Sequence, residues 1–300
     1  MITLKQLTYT LALSQTLHFR KAAEMCSVSQ SAFSSALSEM EKQLGFQVFE
    51  RNNKKVLITP LGQQVIDKAK DIKLRVDDLH ALADSFKEPL ISPLSIGIIP
   101  TISSFLLPIV LPNLQLKYPK LQMNLYEEQS NVLVDKVREG DIDVAVLALP
   151  FSIDGLLSFK FWDENFFWVC HKDHASSHSK EIVAGDLDLS ELMLLSEGHC
   201  LKDHALSVCH LDRSPNLGMS ATSLSTLVHL VAGNLGTTLV PEMAIPQLVD
   251  LNKNLKAIKL AEKGPHREIA FIVRPNYPLI NNIELLIKVF KESLSKQFKK

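Results

Sequence analysis

The sequence lacks any long apolar run. Its most hydrophobic stretch, residues 106–112, is far shorter than the roughly 18 residues that a membrane span requires. The opening residues, 1–5, have none of the apolar character of a secretory signal peptide. With 46% hydrophobic and 22% charged residues, the composition is that of an ordinary water-soluble protein. We therefore expect a cytoplasmic protein without a membrane partner.

Cysteine is scarce: the 300 residues include four, and these do not have the paired spacing of a disulfide framework. Such usage fits a reducing compartment, where a disulfide is transient and regulatory. Zinc modules place cysteines in close pairs, about two to four residues apart. The candidate set His199, Cys200, His204 and Cys209 has no such pair, so a zinc site is disfavoured. We expect neither a metal nor another cofactor.

Net charge is also nearly absent, at −1, but its distribution is uneven. Residues 1–75 contain 11 Lys and Arg against 6 Asp and Glu, whereas the remainder contains 21 against 27. This asymmetry indicates a basic module attached to an acidic body, although a basic excess of this size also occurs on ordinary solvated surfaces.

Two of the four cysteines lie close together in a segment rich in histidine, residues 197–210. Three histidines and Lys202 surround Cys200 and Cys209, a composition that favours a reactive thiolate. Residues 202–208 contain no Gly or Pro and are predicted to be helical, which would separate the two Cα atoms by roughly 13 Å. A disulfide requires about 4.4–6.8 Å, so the segment would have to unwind for the bond to form. The alternative is two buried structural thiols.

The first 60 residues show the pattern of a helix-turn-helix with a wing. Apolar residues recur at helical spacing from Leu4, a second short helix follows from His18, and Ser29 is a suitable N-cap for a third helix that ends at Gly45. Residues 26–28 form the tight turn between the last two helices. Residues 48–59 are predicted to form a short hairpin.

The motifs of this module resemble those of the LysR-type transcriptional regulators. They are Phe19-Arg20-x-Ala22-Ala23, Val28-Ser29-Gln30-Ser31, Glu41-x-x-Leu44-Gly45, Phe49-Glu50-Arg51 and Leu57-x-Thr59-x-x-Gly62. The resemblance implies double-stranded DNA as a partner: Gln30, Ser31 and Ser34 would face the major groove, while Arg51, Asn53 and Lys55 of the wing would contact the phosphate backbone. Ser31 departs from the family, which usually has Pro at this position.

From Pro60 the chain is predicted to continue as one long helix. Apolar residues alternate four and three positions apart, which is a heptad seam typical of a coiled pair of helices: Val65, Ala69, Ile72, Val76, Leu79, Ala83 and Phe86. A helix packed on a core would show the same stripe. We favour a dimer interface, because a small DNA-binding domain needs a partner to contact two half-sites. Residues 87–93, with two prolines, are the expected hinge.

The remaining chain alternates strands and helices, which predicts parallel α/β lobes. Expected strands lie at 94–99, 121–127, 144–149, 166–170, 193–195, 236–241, 257–260 and 269–273, and the last helix at 280–298. Two such lobes resemble the periplasmic-binding-protein-like sensor domain of the same family. The domains are therefore expected at 1–60 (winged helix-turn-helix), 61–88 (linker helix) and 93–300 (sensor). Thr101 and Ser103 should border the interlobe cleft.

Within the family, three segments are similar to the OxyR branch, the hydrogen-peroxide sensors. They are Ile96-Gly97-x-Ile99-Pro100-Thr101, Gly198-His199-Cys200-Leu201-x-Asp203-x-Ala205-x-x-x-Cys209 and Ala221-Thr222-Ser223-Leu224-x-Thr226-Leu227. The resemblance implies Cys200 as the peroxidatic thiol and Cys209 as the resolving thiol. Residues implied to bind peroxide or to activate the thiolate are Thr101, Ser130, His199, Lys202, Asp203 and Arg267.

Lys202 and Ser130 stand where the branch is expected to have Arg and Thr, which keeps the charge and the hydroxyl. The resemblance further implies a homotetramer, contact with RNA polymerase and activation of an oxidative stress response. Two other functions stay open. One is a LysR-type regulator that binds a small organic effector beside Thr101; the other is a thiol peroxidase, which the missing Pro-x-x-x-Thr-x-x-Cys pattern and the DNA-binding module disfavour. We predict a regulator rather than an enzyme.

Overall fold

The computed structural model describes residues 1–52, 55–85, 89–209 and 221–298. The chain separates into two compact units, Met1–Ala83 and Asp84–Lys300. Among the described residues, no helix combines the length and the apolar character that crossing a membrane would require.

The first unit is a winged helix-turn-helix followed by a long helix. Its elements are α1 (Leu4–Thr16), α2 (Phe19–Met25), α3 (Gln30–Leu44), β1 (Phe49–Asn52), β2 (Lys55–Ile58) and α4 (Pro60–Ser85). As predicted, Ser29 is the N-cap of α3, where its hydroxyl accepts a hydrogen bond from the Ala32 amide, and Gly45 ends the helix in the left-handed conformation. The antiparallel pairing of β1 and β2 forms the wing.

The amino-terminal half of α4 belongs to the core of this unit. Ile66 and Ala69 are buried with Phe33, Leu37 and Met40 of α3. Further along α4, the apolar side chains of Ile72, Leu79 and Leu82 are exposed. The heptad stripe therefore divides into a buried first part and an uncovered second part. Phe86, its last predicted member, lies outside the described residues.

The second unit has the two-lobed α/β architecture that the sequence predicts. In chain order its elements are β3 (Leu94–Ile98), α5 (Pro100–Lys117), β4 (Met123–Glu127), α6 (Ser130–Glu139), β5 (Val144–Leu149), β6 (Leu157–Glu164), β7 (Phe166–His171), β8 (Glu181–Ile182), α7 (Cys200–Val208), α8 (Leu224–Ala232), β9 (Thr238–Pro241), α9 (Ile245–Leu248), β10 (Leu255–Leu260), β11 (Arg267–Val273) and α10 (Ile280–Phe298).

One lobe is built on a five-stranded sheet of order β4-β3-β5-β11-β6, and the other on a four-stranded sheet of order β8-β10-β7-β9. The central strand β5 is completely buried from Val144 to Ala148, which its unbroken apolar run requires. Strands β6 and β7 are consecutive in the chain but belong to different sheets. The β6–β7 connection is therefore one of the links between the lobes.

The structure corrects four of the predictions for this unit. The sheets are mixed rather than parallel, because β11 runs antiparallel to β5 and β6, and β7 runs antiparallel to β9 and β10. Strand β6 is an addition to the expected strands. The expected strand at 193–195 is reduced to isolated bridges, one of which joins Leu195 to Ala221. The helix that the apolar pattern predicts at 104–118 begins earlier, at Pro100, because proline suits the first helical turn.

Candidate redox site and nucleic-acid interface

The recognition helix α3 presents polar side chains on the side opposite its core. Phe33 is buried and its ring stacks on Tyr9 of α1 at a centroid distance of 4.7 Å. Gln30 and Ser31 are exposed at the first turn, and Ser34, one turn later, is half-buried. The amino-terminal end of a helix held in this way is the part that enters the major groove in helix-turn-helix proteins.

The wing is fixed to α3 by one carboxylate. Glu41 Oε1 accepts hydrogen bonds from the backbone amides of Val48 and Phe49, at 2.9 and 3.1 Å. Lys55, at the start of β2, is exposed. Of the other two predicted wing contacts, Arg51 lies on β1, and Asn53 lies outside the described residues.

Cys200 is the first residue of α7 and is buried, with 4% of its surface exposed. The amino terminus of a helix carries a partial positive charge, which favours a thiolate. Helix α7 starts here because Gly198 turns the chain at a φ of +90°. This left-handed conformation favours glycine, and a Cβ atom here would lie 2.4 Å from Gln129 Oε1, so the Gln129 side chain would have to move.

Arg267 supplies a buried positive charge close to this thiol. Its guanidinium forms an ion pair with Glu164, at 2.7 Å between Nη2 and Oε2, and both side chains are fully buried. It also donates to the Thr101 hydroxyl and to the Thr101 carbonyl, at 3.3 and 3.2 Å. Glu164 in turn accepts a bond from the Met243 amide at 2.7 Å. The guanidinium is thereby held between the end of β6 and the start of α5.

The Cys200 thiol experiences opposing influences on its pKa. Burial raises the pKa above its ordinary value, and the nearby charge of Asp203 adds to that increase. The Ser130 hydroxyl, Arg267 and the Ala148 backbone act in the opposite direction. Burial is the largest of these influences, so the pKa of the Cys200 thiol lies above its ordinary value.

The first residue of α6, Ser130, faces the same small space. It is 1% exposed, and its Oγ atom makes no hydrogen bond of ordinary geometry within the described part of the chain. The hydroxyl nevertheless lies close enough to the Cys200 sulfur to lower the pKa of the thiol by hydrogen bonding. The structure therefore places Ser130 and Arg267 close to Cys200, and Thr101 against Arg267.

The other predicted site residues on α7 are placed differently. His199 is the N-cap residue, half-buried, and burial lowers its pKa, which keeps the imidazole neutral. Lys202 forms an ion pair with Glu197. Asp203 is exposed, and its charge raises the pKa of Cys200, so it opposes the activation that was predicted for it.

Cys209 caps the other end of α7 and is also buried. Burial, together with the charge of Glu262, raises the pKa of its thiol to about 11. The nine-residue helix between the two cysteines keeps their Cα atoms roughly 13 Å apart. Both thiols are free in this conformation.

Two further residues at the site are absent from the predicted set. Glu164 lies on β6, the strand missing from the prediction, although the alternating aromatic residues of Phe159–Glu164 could have indicated a strand there. His204 is buried on α7, with Nε2 3.0 Å from the Pro150 carbonyl oxygen. Nothing in the sequence around this histidine indicates that it contacts residue 150.

A cleft of about 390 Å³ is lined in part by His199, the residue before Cys200. Its lining comes from the start of α5, from the end of β4, from the residue before α7, and from the segments that begin α8 and end α9: Pro100, Thr101, Ser104, Phe105, Glu127, His199, Thr222, Ser223, Leu224, Ser225, Gln247 and Leu248. Thr101 and His199 border both the cleft and the surroundings of Cys200. Ser103, which was expected to border the cleft, is buried inside α5 and is not among the lining residues, and its hydroxyl donates to Glu127.

Comparison with known proteins identifies both parts of the chain. Residues 4–63 match the bacterial regulatory helix-turn-helix protein model of the lysR family, and residues 87–295 match the LysR substrate binding domain. The chain is 41% identical to the HTH-type transcriptional regulator EstR of Acinetobacter baylyi, with 96% of each chain covered. It is 35% identical to a probable hydrogen peroxide-inducible genes activator of Streptomyces viridosporus, with 97% of this chain and 94% of that protein covered.

Among solved structures, a full-length OxyR from Pseudomonas aeruginosa, in which one cysteine is replaced by aspartate, superimposes with a TM-score of 0.79 at 30% identity, covering 97% of this chain and 98% of the other. The likeness extends over the helix-turn-helix, the long helix and both lobes. These matches agree with the fold and with the motifs described above. The chain belongs to the LysR family of DNA-binding transcriptional regulators.

Proposed function

We propose that this regulator senses hydrogen peroxide through Cys200 and is switched by a reversible disulfide between Cys200 and Cys209. One observation carries the proposal: a buried cysteine begins a helix beside a buried guanidinium and a buried hydroxyl, and a second cysteine ends the same helix. The similarity to a peroxide-inducible activator and to an OxyR structure supports it.

The first step oxidises Cys200 to a sulfenic acid. The thiol gives up its proton, the sulfur attacks one oxygen of the peroxide, and the O–O bond breaks. The leaving hydroxide takes a proton and departs as water, so that thiol and peroxide yield sulfenic acid and water. Arg267 stabilises the transient thiolate, because its charge lowers the pKa that burial raises. The hydroxyls of Thr101 and Ser130 and the neutral His199 orient the peroxide by hydrogen bonding.

The second step joins the two sulfurs. The Cys209 thiol attacks the sulfenic sulfur, its proton and the sulfenic hydroxyl leave as water, and the S–S bond forms. Because a disulfide requires Cα atoms within about 6.8 Å, residues 200–209 must leave their helical conformation. Unwinding also exposes Cys209 to water, which removes the burial that raises the pKa of its thiol to about 11.

The resulting change in the sensor domain alters how the protein holds DNA. We assign residues 1–60 to DNA binding, 61–88 to dimerisation and 93–300 to sensing. Gln30, Ser31 and Ser34 contact bases and phosphates, and Arg51, Asn53 and Lys55 contact the backbone. The exposed apolar residues of the seam on α4, Ile72 and Leu79, pair with those of a second copy. Assembly to a tetramer and contact with RNA polymerase follow from the same proposal.

Peptide-mapping mass spectrometry tests the switch. Anaerobically reduced full-length protein is treated with about one equivalent of hydrogen peroxide, alongside Cys200→Ser and a control, Cys26→Ser, in a half-buried thiol of the DNA-binding unit. We expect rapid appearance of a peptide cross-linked between Cys200 and Cys209 in the wild type and in the control, and its absence in Cys200→Ser. A Cys200 that stays reduced in the wild type would refute the proposal.

A second candidate function is regulation by a small organic effector. The cleft of about 390 Å³ is of the size that binds small molecules, and EstR, at the higher identity of 41%, bears no peroxide-related name. In that case, DNA binding would respond to the effector equally in the wild type and in Cys200→Ser.

A further inference from the structure

A second cavity, of about 530 Å³, opens elsewhere on the sensor unit. Its walls come from the carboxyl-terminal half of α5, from the segment that leads into α9 and from the last turns of α10. Among the described residues, Gln247 alone lines both this cavity and the cleft of about 390 Å³. The two are therefore separate sites, and the volume of the second is in the range that holds small molecules.

Much of the lining of this cavity is apolar. Pro108 and Pro112 are four residues apart, so their rings stand on the same face of α5. Leu116, one turn further along that face, is 82% exposed. On α10, the ring of Phe298 contacts Trp162 of β6, with 6.2 Å between the ring centroids. The cavity therefore offers a hydrocarbon surface to a ligand.

Polar contacts hold the two helical walls together. Asn113 of α5 donates from Nδ2 to the hydroxyl of Ser293 on α10, at 3.1 Å. An ion pair between Lys117 and Glu292 joins the same two helices at the next turn. Because both contacts cross from α5 to α10, the walls form one surface whose shape does not depend on a ligand.

Lys296 supplies the charge of the cavity. The described lining residues include neither Asp nor Glu. The acidic residue one turn earlier on α10, Glu292, is already paired with Lys117, and Lys296 forms no ion pair with any residue that the structure describes. An exposed ammonium group beside an apolar surface attracts a molecule with a negative end and a hydrocarbon body.

From this arrangement we propose that the cavity binds amphipathic carboxylates. The carboxylate pairs with the Lys296 ammonium group, and the hydrocarbon body lies against Pro108 and Pro112. Binding is noncovalent and does not involve Cys200, so the inference does not rest on the proposed function.

Isothermal titration calorimetry of the reduced full-length protein with decanoate tests the proposal. We expect a Kd below about 1 mM, and about tenfold weaker binding of octanoate, which is two methylene groups shorter. Lys296→Gln should weaken decanoate binding about fivefold, whereas Lys296→Arg, which keeps the charge, should bind like the wild type. Lys291→Gln, at an exposed lysine of α10 outside the lining, is the matched control.

A photoreactive decanoate that carries a diazirine on its chain locates the bound molecule. After irradiation, mass spectrometry should find the label within residues 108–116 or 293–298, which contribute to this cavity and not to the cleft. A label confined to other residues, an absence of binding heat, or equal decanoate affinity in the wild type and Lys296→Gln would overturn this inference. Because Cys200→Ser should bind decanoate like the wild type, this result is independent of whether peroxide oxidises Cys200.

Discussion

The imidazole of His204 donates a hydrogen bond from Nε2 to the carbonyl oxygen of Pro150, over a distance of 3.0 Å. His204 lies on α7 between the two cysteines, and Pro150 follows β5, the central strand of the other lobe's sheet. This bond therefore holds α7, the helix that unwinds in the proposed switch, to the end of β5. Its presence favours the reduced conformation.

Replacing His204 by Ala should accelerate disulfide formation. Losing one buried hydrogen bond costs the helical conformation of α7 about 1 kcal/mol, and we expect the step from sulfenic acid to disulfide to become about fivefold faster. Quenched-flow alkylation with mass spectrometry measures this step. His229→Ala is the control, because His229 makes a similar carbonyl contact, with Ser225, on the exposed side of α8. Disulfide formation that is unchanged or slower in His204→Ala would contradict the role assigned to this bond.

The same histidine should make stability depend on pH. Burial lowers the pKa of His204 in the folded protein, with a contribution from Arg267, while the bond to Pro150 and the charge of Asp203 act against the decrease. Below the unfolded-state pKa of about 6.5, the unfolded chain binds a proton that the folded site excludes, so stability is present above that pH and is lost as the pH falls.

We expect the urea midpoint of the sensor domain to decrease between about pH 7.5 and pH 5.5, and to decrease less in His204→Gln. Tryptophan fluorescence of the full-length protein measures both. An identical decrease in the two proteins would show that other groups cause the pH dependence, since His199, whose pKa is also lowered by burial, is present in both.

Gly198 should tolerate no side chain. Its φ of +90° and the 2.4 Å between a Cβ atom and Gln129 Oε1 predict that Gly198→Ala shifts the start of α7. The backbone strain alone is worth about 1–2 kcal/mol. We expect slower oxidation of Cys200 in this variant.

The control for Gly198→Ala is Gly185→Ala, where an added Cβ would meet no atom within 4 Å. Combining Gly198→Ala with Gln129→Ala relieves the contact but not the backbone strain, so partial recovery is expected. Full activity in the single variant would show that the start of α7 does not position the thiol.

Substitutions in the recognition helix and in the wing should weaken DNA binding in different ways. Gln30→Ala removes a base contact, so we expect an operator affinity roughly tenfold lower and a weaker preference for the operator over other sequences. Lys55→Ala removes a phosphate contact, so all sequences should be bound more weakly, with a salt dependence reduced by about one ion. Fluorescence anisotropy over a salt series measures both, with Gln15→Ala on the exposed side of α1 as the control. Equal behaviour of the two variants would contradict this division.

The sequence predicts most of the fold, because periodic apolar residues and helix caps are local signals. Ser29 and Gly45 mark the ends of α3 where the structure has them. The mixed sheets were not predictable from local signals. Strand β11 lies between β5 and β6, which precede it in the chain by more than a hundred residues. Its own sequence pattern does not indicate whether it runs parallel or antiparallel to them.

The sequence indicates which residues form the candidate site, but it does not indicate how burial and nearby charges set the pKa of the thiol. The resemblance implied that Cys200, Thr101, Ser130 and Arg267 belong to one site. In the structure, Ser130 and Arg267 lie close to Cys200, and Thr101 contacts Arg267. The resemblance could not show that burial outweighs Arg267 in setting the pKa of the thiol, because burial depends on packing among segments distant in the chain. For the same reason, the sequence does not indicate that Lys202 forms an ion pair with the exposed Glu197. Nor does it indicate that the charge of Asp203 raises the pKa of the Cys200 thiol, which is the reverse of the expected effect.

The ion pair of Arg267 with Glu164 is carried by β6 and β11, not by α7. In the proposed switch, unwinding of α7 would therefore break none of the bonds that hold the guanidinium to Thr101 and to Glu164. When the proposed disulfide is reduced and α7 forms again, Cys200 should have the same charged and polar neighbours as before oxidation. We expect a sensor without hysteresis: after each cycle of oxidation and reduction, the thiol should respond at its original rate.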